Sequence, residues 1–198
     1  MKKIIYLLIF MIIGAADALA QIQDAETIRR RAAEMVGQMN DYITSMADKD
    51  KSLKTRQYYR KKALNLFIGK GEPYTIDGKR YKAVSMQTTS VNRPGVKTTP
   101  MGDYFTHLIN LGYKDVDIKS TEIGQIKVSS LKRISDDTYE CTCYIEQEFL
   151  GYGADGRPRY HDITKKSVQC FITVEQTVDE PQYIVQLGNV TATETRRL

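Results

Sequence analysis

Residues 139–149 read YECTCYIEQEF, and polar and apolar side chains alternate along much of this stretch. Successive side chains of a β-strand point to opposite faces, so the alternation predicts a strand with one buried face. The turn residues ADG follow at 154–156, and a second β-forming stretch comes after them. We therefore predict a long β-hairpin that turns at Asp155 and Gly156.

A two-residue turn at these positions fixes the register of the hairpin. Ala154 then pairs with Arg157, and Glu146 faces Lys165 as a favourable cross-strand charge pair. One face of the hairpin is largely apolar and carries Tyr139, Cys141, Cys143, Ile145, Val168, Cys170 and Ile172. The hairpin is thus predicted to cover a hydrophobic core with that face.

The same register places Cys141 directly opposite Cys170. In a non-hydrogen-bonded strand pair the Cα atoms are roughly 4.5 to 5.5 Å apart, which is within the range of a disulfide. We weigh a Cys141–Cys170 disulfide against three buried, reduced thiols that pack as small hydrophobic side chains. A single β-bulge would shift the register, so both states stay open.

The spacing of the cysteines argues against a metal site. Cys141 and Cys143 lie roughly 6.6 Å apart along a strand, which is too far for both thiolates to bind one zinc ion without distortion. His161, the other nearby ligand type, falls on the opposite face in this register. We predict neither a metal site nor a cofactor.

The first twenty residues, MKKIIYLLIFMIIGAADALA, predict a signal peptide. Two lysines precede an apolar run that is short for a membrane span, and the small residues at 18–20 are typical of a cleavage site. A retained membrane anchor is the alternative. We expect cleavage near Ala20, a single domain over 21–198, and a periplasmic or secreted protein without a membrane span.

The formal net charge is +5, and it falls to +4 when the first twenty residues are removed. Many of the basic residues lie in KDKSLKTRQYYRKK at 49–62. We interpret this run as the solvated face of a helix rather than a nucleic-acid site, because an exported protein meets little nucleic acid. No nucleic-acid partner is predicted.

Apolar residues recur at three- and four-residue spacings in the first half of the chain, which indicates helices. The clearest stripe consists of Ile28, Ala32, Met35, Met39, Tyr42, Ile43 and Met46. We predict a first helix that begins near Asp24 and a second over about 53–68. A third helix begins near Pro100, with Thr99 as its cap, and ends near Leu111.

Short-range signals predict the strands. YTIDGKRY at 74–81 carries an Asp-Gly hairpin turn, residues 81–91 suit a strand, and NRPGVKTTP at 92–100 has the composition of a loop. Four further β segments are expected at about 122–134, 138–152, 157–178 and 182–193. The sequence therefore predicts an α+β fold with three N-terminal helices packed on a curved antiparallel sheet.

This order of elements resembles the nuclear transport factor 2-like superfamily, to which cystatin-like folds are related. The resemblance covers about 24–193 and rests on architecture, without a diagnostic motif. It implies a cone-shaped sheet with a central pocket, and it implies Tyr104, Tyr139, Cys143 and Ile145 as pocket-lining residues.

Candidate catalytic groups are few. His107 lies one turn after Asp103 on the third predicted helix, which indicates an exposed charged pair rather than a catalytic dyad. Glu140, Glu146 and Glu148 face away from the expected pocket. We therefore predict no catalytic residue and favour an exported, non-catalytic binding or interaction module.

The partner of such a module is a small apolar ligand in the pocket or another protein on the outer sheet face. Tyr144 and Phe171 are expected on that face, where they suit a homodimer contact. One alternative is an isomerase- or dehydratase-like enzyme that uses an acid or base in the pocket. Another is an immunity-type protein that neutralises a toxin.

Overall fold

A computed structural model describes residues 2–76, 78–135, 137–178 and 181–198, with side chains from residue 25 onward except at 93 and 94. The helices are α1 Lys2–Ala47, α2 Leu53–Leu64 and α3 Met101–Ile109. The strands are β1 Tyr74–Ile76, β2 Lys79–Tyr81, β3 Ser85–Ser90, β4 Arg93–Pro100, β5 Asp115–Ser120, β6 Lys127–Val128, β7 Lys132–Arg133, β8 Thr138–Tyr152, β9 Pro158–Glu175 and β10 Gln182–Arg197.

The signal peptide expected at 1–20 lies outside the residues whose side chains are described, so it stays a prediction. The first helix was expected to begin near Asp24, and this is wrong, because α1 runs unbroken from Lys2 through that residue. Within the described residues, no helix is both long enough and apolar enough to cross a membrane.

The apolar stripe of α1 packs into the core, as its spacing predicts. Ile28, Ala32, Met39, Ile43 and Met46 are buried, and Met35 and Tyr42 pack against them. The Ser52 side chain caps α2 by accepting a hydrogen bond from the backbone of Thr55. This helix ends at Leu64 rather than near residue 68, and Phe67 then enters the core.

Basic side chains of the 49–62 run hold the third helix. Lys49 donates hydrogen bonds to the carbonyls of Ile109 and Leu111 at 3.1 and 2.8 Å, and Arg56 donates to the Ile109 carbonyl at 2.8 Å. The last carbonyls of a helix lack partners within the helix and favour nearby cations. Part of the positive charge noted in the sequence therefore stabilises the carboxyl end of α3.

Eight of the strands form one sheet in the order β4-β3-β10-β9-β8-β5, with β6 and β7 paired to β8. Strands β1 and β2 pair with each other in a separate hairpin. The fold is thus α+β, with three helices and a large curved mixed sheet. An entirely antiparallel sheet was expected, and this is wrong for one pair, because β3 runs parallel to β10. Strand β3 follows the β1–β2 hairpin in the chain. It lies beside β10, the last strand, and runs in the same direction.

The predicted hairpin register is confirmed over most of β8 and β9. Cys141 pairs with Cys170 and Glu146 with Lys165 in an unbroken ladder that ends where Gly151 meets Tyr160. The predicted turn is wrong, because a three-residue loop at 154–156 closes the hairpin.

Gly153, rather than Ala154, meets Arg157, and its N–H donates to the Arg157 carbonyl at 2.9 Å. Gly156 adopts φ +73° in this loop, a conformation that favours glycine. The extra residue of the loop is offset by Arg159, which bulges out of β9 where the register shifts by one. The two deviations cancel, and the predicted pairs farther along are therefore correct.

Three other strand predictions need correction. Residues 93–100, predicted as a loop, form the edge strand β4, which pairs with β3 from Ser85–Pro100 onward. A proline is tolerated on an edge strand, so the composition of this segment does not exclude pairing. Strand β5 was not predicted. The expected strand at 122–134 is divided into a short 3-10 turn and the two-residue strands β6 and β7.

The inner face of the β8–β9 hairpin divides into two halves. Near the start of β8, Cys141, Cys143 and Ile145 are buried against the helices with Val168 and Cys170. Toward the turn, the buried residues on the same face become polar, namely Gln147, Asp162, Thr164 and Lys166. The apolar half builds the core, and the polar half faces a pocket.

Gly151 is predicted to tolerate no larger side chain. A Cβ atom at this position would lie 2.7 Å from the Tyr113 ring, which itself packs against Phe149 with centroids 5.8 Å apart. We expect Gly151→Ala to lower the free energy of unfolding by about 1–3 kcal/mol, because the ring must move. Chemical denaturation measures the change.

Gly124→Ala is the matched control, since no atom lies within 4 Å of its Cβ position. We expect this control to change stability by less than about 0.5 kcal/mol. Equal effects of the two substitutions would contradict the close packing of Tyr113 on Gly151.

Candidate functional site

The polar half of the hairpin forms one wall of a pocket of about 380 Å³, which is partly open to solvent. This volume lies in the range of small-molecule sites. An apolar wall consists of Tyr104, Leu108, Leu111, Tyr113 and Phe149. The polar lining consists of Thr88, Thr89, Ser90, Lys97, Thr99, His107, Gln147, Tyr160, Asp162, Thr164 and Lys166. The pocket therefore combines an apolar surface with ionisable side chains.

The structure separates the residues that the resemblance implied as pocket-lining. Tyr104 of α3 lies in the pocket wall. Cys143 and Ile145 are buried in the core, and Tyr139 packs against its edge. The sequence therefore indicated the correct face of the sheet, while the pocket occupies the other end of that face.

The predicted register contained the signal for Asp162 and Lys166, which we did not identify from the sequence. Both residues lie on the same face as Cys170, because their positions along β9 differ from that of Cys170 by even numbers. A carboxylate and an ammonium group on a buried face are unusual, since burial disfavours charge. Following the alternation as far as the turn would have identified both.

Asp162 is a buried carboxylate with only 4% of its surface exposed. The Tyr160 hydroxyl donates a hydrogen bond to Asp162 Oδ2 and lies 2.9 Å from Ser90 Oγ. Burial raises the pKa of Asp162, while the Tyr160 hydrogen bond and the charges of Lys166 and His161 oppose this shift. Asp162 is accordingly a stronger base than an exposed aspartate.

Lys166 is equally buried, with 7% of its surface exposed. Its Nζ atom donates to Gln147 Oε1 at 2.6 Å, and the Gln147 amide nitrogen lies 3.3 Å from Ser120 Oγ. Burial lowers the pKa of Lys166 to about 8, against the opposing charge of Asp162. The ammonium form still predominates at pH 7.

The Tyr104 phenol adds a neutral group to the ionisable set. Burial raises the pKa of Tyr104 to about 12, so its phenol keeps its proton at physiological pH and can donate a hydrogen bond. His107 lies at the pocket rim, exposed to solvent. A base, a cation and a neutral donor thus line one cavity, as acid–base chemistry requires.

The second histidine lies on the outer face of the sheet. His161 falls on the face that the register predicts, where it is half-buried, and its Nε2 atom is 2.7 Å from Glu148 Oε1. The outer aromatic patch is only partly as expected. Tyr144 is 50% exposed, whereas Phe171 is buried and shares a small cavity with Tyr74 and Tyr81. The homodimer contact stays a prediction.

The three cysteines lie in the apolar core, away from the pocket lining. Cys170 Sγ is 3.7 Å from Cys143 Sγ, and all three thiols are unbridged in this structure. The neighbouring thiols and burial raise the pKa of Cys170 well above its ordinary value, so this thiol is a poor nucleophile at neutral pH. The Cys141–Cys170 disulfide stays a prediction.

The part of the chain that the structure describes contains no cluster of three or more His, Cys, Asp or Glu side chains suited to a metal ion. The sequence-based expectation of a site without a cofactor stays a prediction.

Two solved structures share a general similarity with this chain. One is a protein assigned as a scytalone dehydratase from Novosphingobium aromaticivorans, with 8% identity, a TM-score of 0.44, and coverage of 89% of this chain and 91% of that chain. The other is a type 2 hexachlorocyclohexane dehydrochlorinase, with 10% identity, a TM-score of 0.38, and coverage of 87% and 93%. No protein-family model and no curated protein matches the chain.

Burial of Lys166 is predicted to lower stability at neutral pH. Its pKa is about 8 in the folded protein and 10.5 when solvated, so the unfolded chain binds more protons between these values. The destabilisation is therefore fully present below pH 8 and is relieved as the pH rises toward 10.5. We expect Lys166→Met to raise the free energy of unfolding at pH 7 by up to about 3 kcal/mol.

Denaturant unfolding of the wild type and the variant at pH 7 and pH 10 measures this effect, and the difference shrinks at the higher pH. Lys165→Met is the matched control, because Lys165 is the next residue and is exposed on the opposite face. A Lys166→Met protein less stable than the wild type at pH 7 would show that the contacts of Lys166 outweigh its desolvation.

Proposed function

We propose that the pocket is an active site in which Asp162 moves a proton on a small organic substrate, as in an isomerase or a dehydratase. The observation that supports this proposal is the buried Asp162 carboxylate in an open pocket with an apolar wall. Strongly perturbed carboxyl groups in clefts are typical of functional sites. This proposal replaces the non-catalytic module that the sequence favoured.

Asp162 acts as the general base in this scheme. It removes a proton from a carbon next to a carbonyl group, and its raised pKa makes the transfer more favourable. The Tyr160 hydroxyl holds the carboxylate in place through Oδ2. When Asp162 takes up the proton, Tyr160 keeps a second partner in Ser90 Oγ at 2.9 Å.

The carbonyl oxygen becomes negatively charged as the proton leaves the carbon. Tyr104 is the neutral donor in the wall that binds this oxygen, because its phenol does not ionise at physiological pH. An isomerase then returns the proton to a different carbon. A dehydratase instead expels a neighbouring hydroxyl group, which takes up the proton from Asp162 and leaves as water.

The finer assignments of fold and location belong to the same proposal. Three helices and a large curved sheet, with a pocket lined by α3 and the sheet, support a nuclear transport factor 2-like fold. The sequence pattern of residues 1–20 supports export to the periplasm or the medium. The substrate would then be a molecule that reaches the protein outside the cytoplasm.

Hydrogen–deuterium exchange at carbon tests the proposed catalysis without knowledge of the substrate. The protein is incubated in D2O with a panel of β-hydroxy ketones, β-hydroxy acids and enones, and NMR follows deuterium entering the carbon beside the carbonyl group. We expect at least one compound to exchange. Asp162→Asn is expected to slow that exchange by about 10²–10⁴-fold, as for the loss of a general base.

Asn keeps the shape of the Asp162 side chain and can still accept a hydrogen bond from Tyr160, so this variant tests the charge rather than the packing. Glu146→Gln is the control, because Glu146 is exposed on the opposite face of the same hairpin. Exchange that continues at the wild-type rate in Asp162→Asn would exclude Asp162 as the base.

A further inference from the structure

Lys166 is a buried cation that the proposed catalysis does not use. Its ammonium group has three N–H donors, and one of them binds the neutral Gln147 amide at 2.6 Å. Among the residues that the structure describes, no ion pair includes Lys166. Buried charges in proteins are normally paired, because removal from water is costly. Asp162 opposes this charge without forming a direct ion pair, and the absence of such a partner among the described residues points to an anionic ligand.

The remaining charges of the pocket support the same conclusion. Among the described residues that line the pocket, Asp162 is the only carboxylate, and the Tyr160 hydroxyl binds one of its oxygens. Lys97 and His107 lie in the lining on other elements and add positive charge or the capacity for it. The pocket is therefore suited to a ligand with negative charge.

The apolar wall determines the rest of the ligand. The Phe149 ring packs edge-on against Tyr113 and Tyr160 at 5.8 Å, which fixes an aromatic corner of the pocket. Leu108 of α3 and Leu111, which follows the end of that helix, continue this surface. Such a wall favours the burial of an aromatic or unsaturated hydrocarbon body beside the charged group.

We propose that the pocket recognises small aromatic or unsaturated carboxylates, with the carboxylate bound by Lys166 and the hydrocarbon body against Phe149 and Leu108. The proposal rests on the proposed function, since it names the substrate class of the same site.

The positions of Lys166 and Asp162 place a geometric limit on the substrate. The two residues lie four apart on one face of β9, so their Cα atoms are roughly 13 Å apart along the strand. The carboxylate that binds Lys166 is therefore separated by several bonds from the carbon that faces Asp162. A substrate of this class carries a second carbonyl group nearer to the reacting carbon.

Calorimetric titration with matched probes tests the inference. The probes are cinnamate, phenylacetate and sorbate, each compared with its uncharged primary amide. We expect at least one carboxylate to bind about tenfold or more tightly than its amide, because the charge-assisted contact to Lys166 is lost in the amide.

Two substitutions on one face of β9 should act in opposite directions. We expect Lys166→Met to weaken carboxylate binding by about tenfold or more and to weaken amide binding by much less, because the amide makes only an uncharged contact. Asp162→Asn should strengthen carboxylate binding several-fold, because it removes a negative charge from the pocket. Lys165→Met, on the opposite face, should leave the binding of both probes unchanged.

The inference is overturned if the amides bind as tightly as the carboxylates, if no carboxylate binds, or if Lys166→Met and Lys165→Met have equal effects. Its failure can be distinguished from failure of the proposed catalysis. Carboxylate binding that depends on Lys166, without carbon exchange, would keep the inference and exclude the enzyme. Exchange of uncharged carbonyl compounds, without carboxylate binding, would keep the enzyme and exclude the inference.

Discussion

The pairing of β8 with β9 is the constraint on which the rest of the structure depends. Because side chains alternate along both strands, the register decides which residues face the helices and which face solvent. It directs the cysteines and Ile145 into the core, and with equal necessity it directs Asp162 and Lys166 into the interior. A shift of one residue would exchange the two faces along the whole hairpin, so core and pocket depend on the same pairing.

The two halves of the inner face make opposing contributions to folding. The apolar half gains free energy by leaving water, while the polar half loses hydration that single hydrogen bonds replace only in part. The cost is tolerated because both halves belong to one continuous ladder, which α1 and α3 cover from the same side. Proteins often retain such locally unfavourable groups where they act on a ligand.

The sequence predicted the elements with strong periodic signals and failed where pairing partners are distant. The stripe of α1 and the ladder from Thr138 to Gly151 follow from local alternation, and both are observed. Strand β4 has the composition of a loop and becomes a strand through its contact with β3. The predicted turn was one residue shorter than the observed loop at 154–156. The bulge at Arg159 restores the register, so the predicted pairs farther along are still correct.

The pocket was missed for a different reason. Its charged residues lie at positions that alternation assigns to the interior, and the apolar residues alone were taken to define the inner face. Phe171 shows the opposite case. The alternation places it on the outer face of the sheet, yet it is buried and shares a cavity with Tyr74 and Tyr81 of the β1–β2 hairpin, which the alternation along β9 does not predict. Alternation reports which face a side chain occupies, whereas its surroundings depend on the whole fold.

The seam between β3 and β10 has a consequence for the kinetics of ligand entry. The described residues share one ladder pair there, Met86 with Val190, and side-chain bonds such as Ser85–Asn189 at 2.9 Å complete the contact. Segments with few backbone bonds open at lower free energy than those with continuous ladders. We therefore expect the β3–β4 hairpin, which contributes Lys97 and Thr99 to the pocket, to open at a lower free energy than the β8–β9 hairpin.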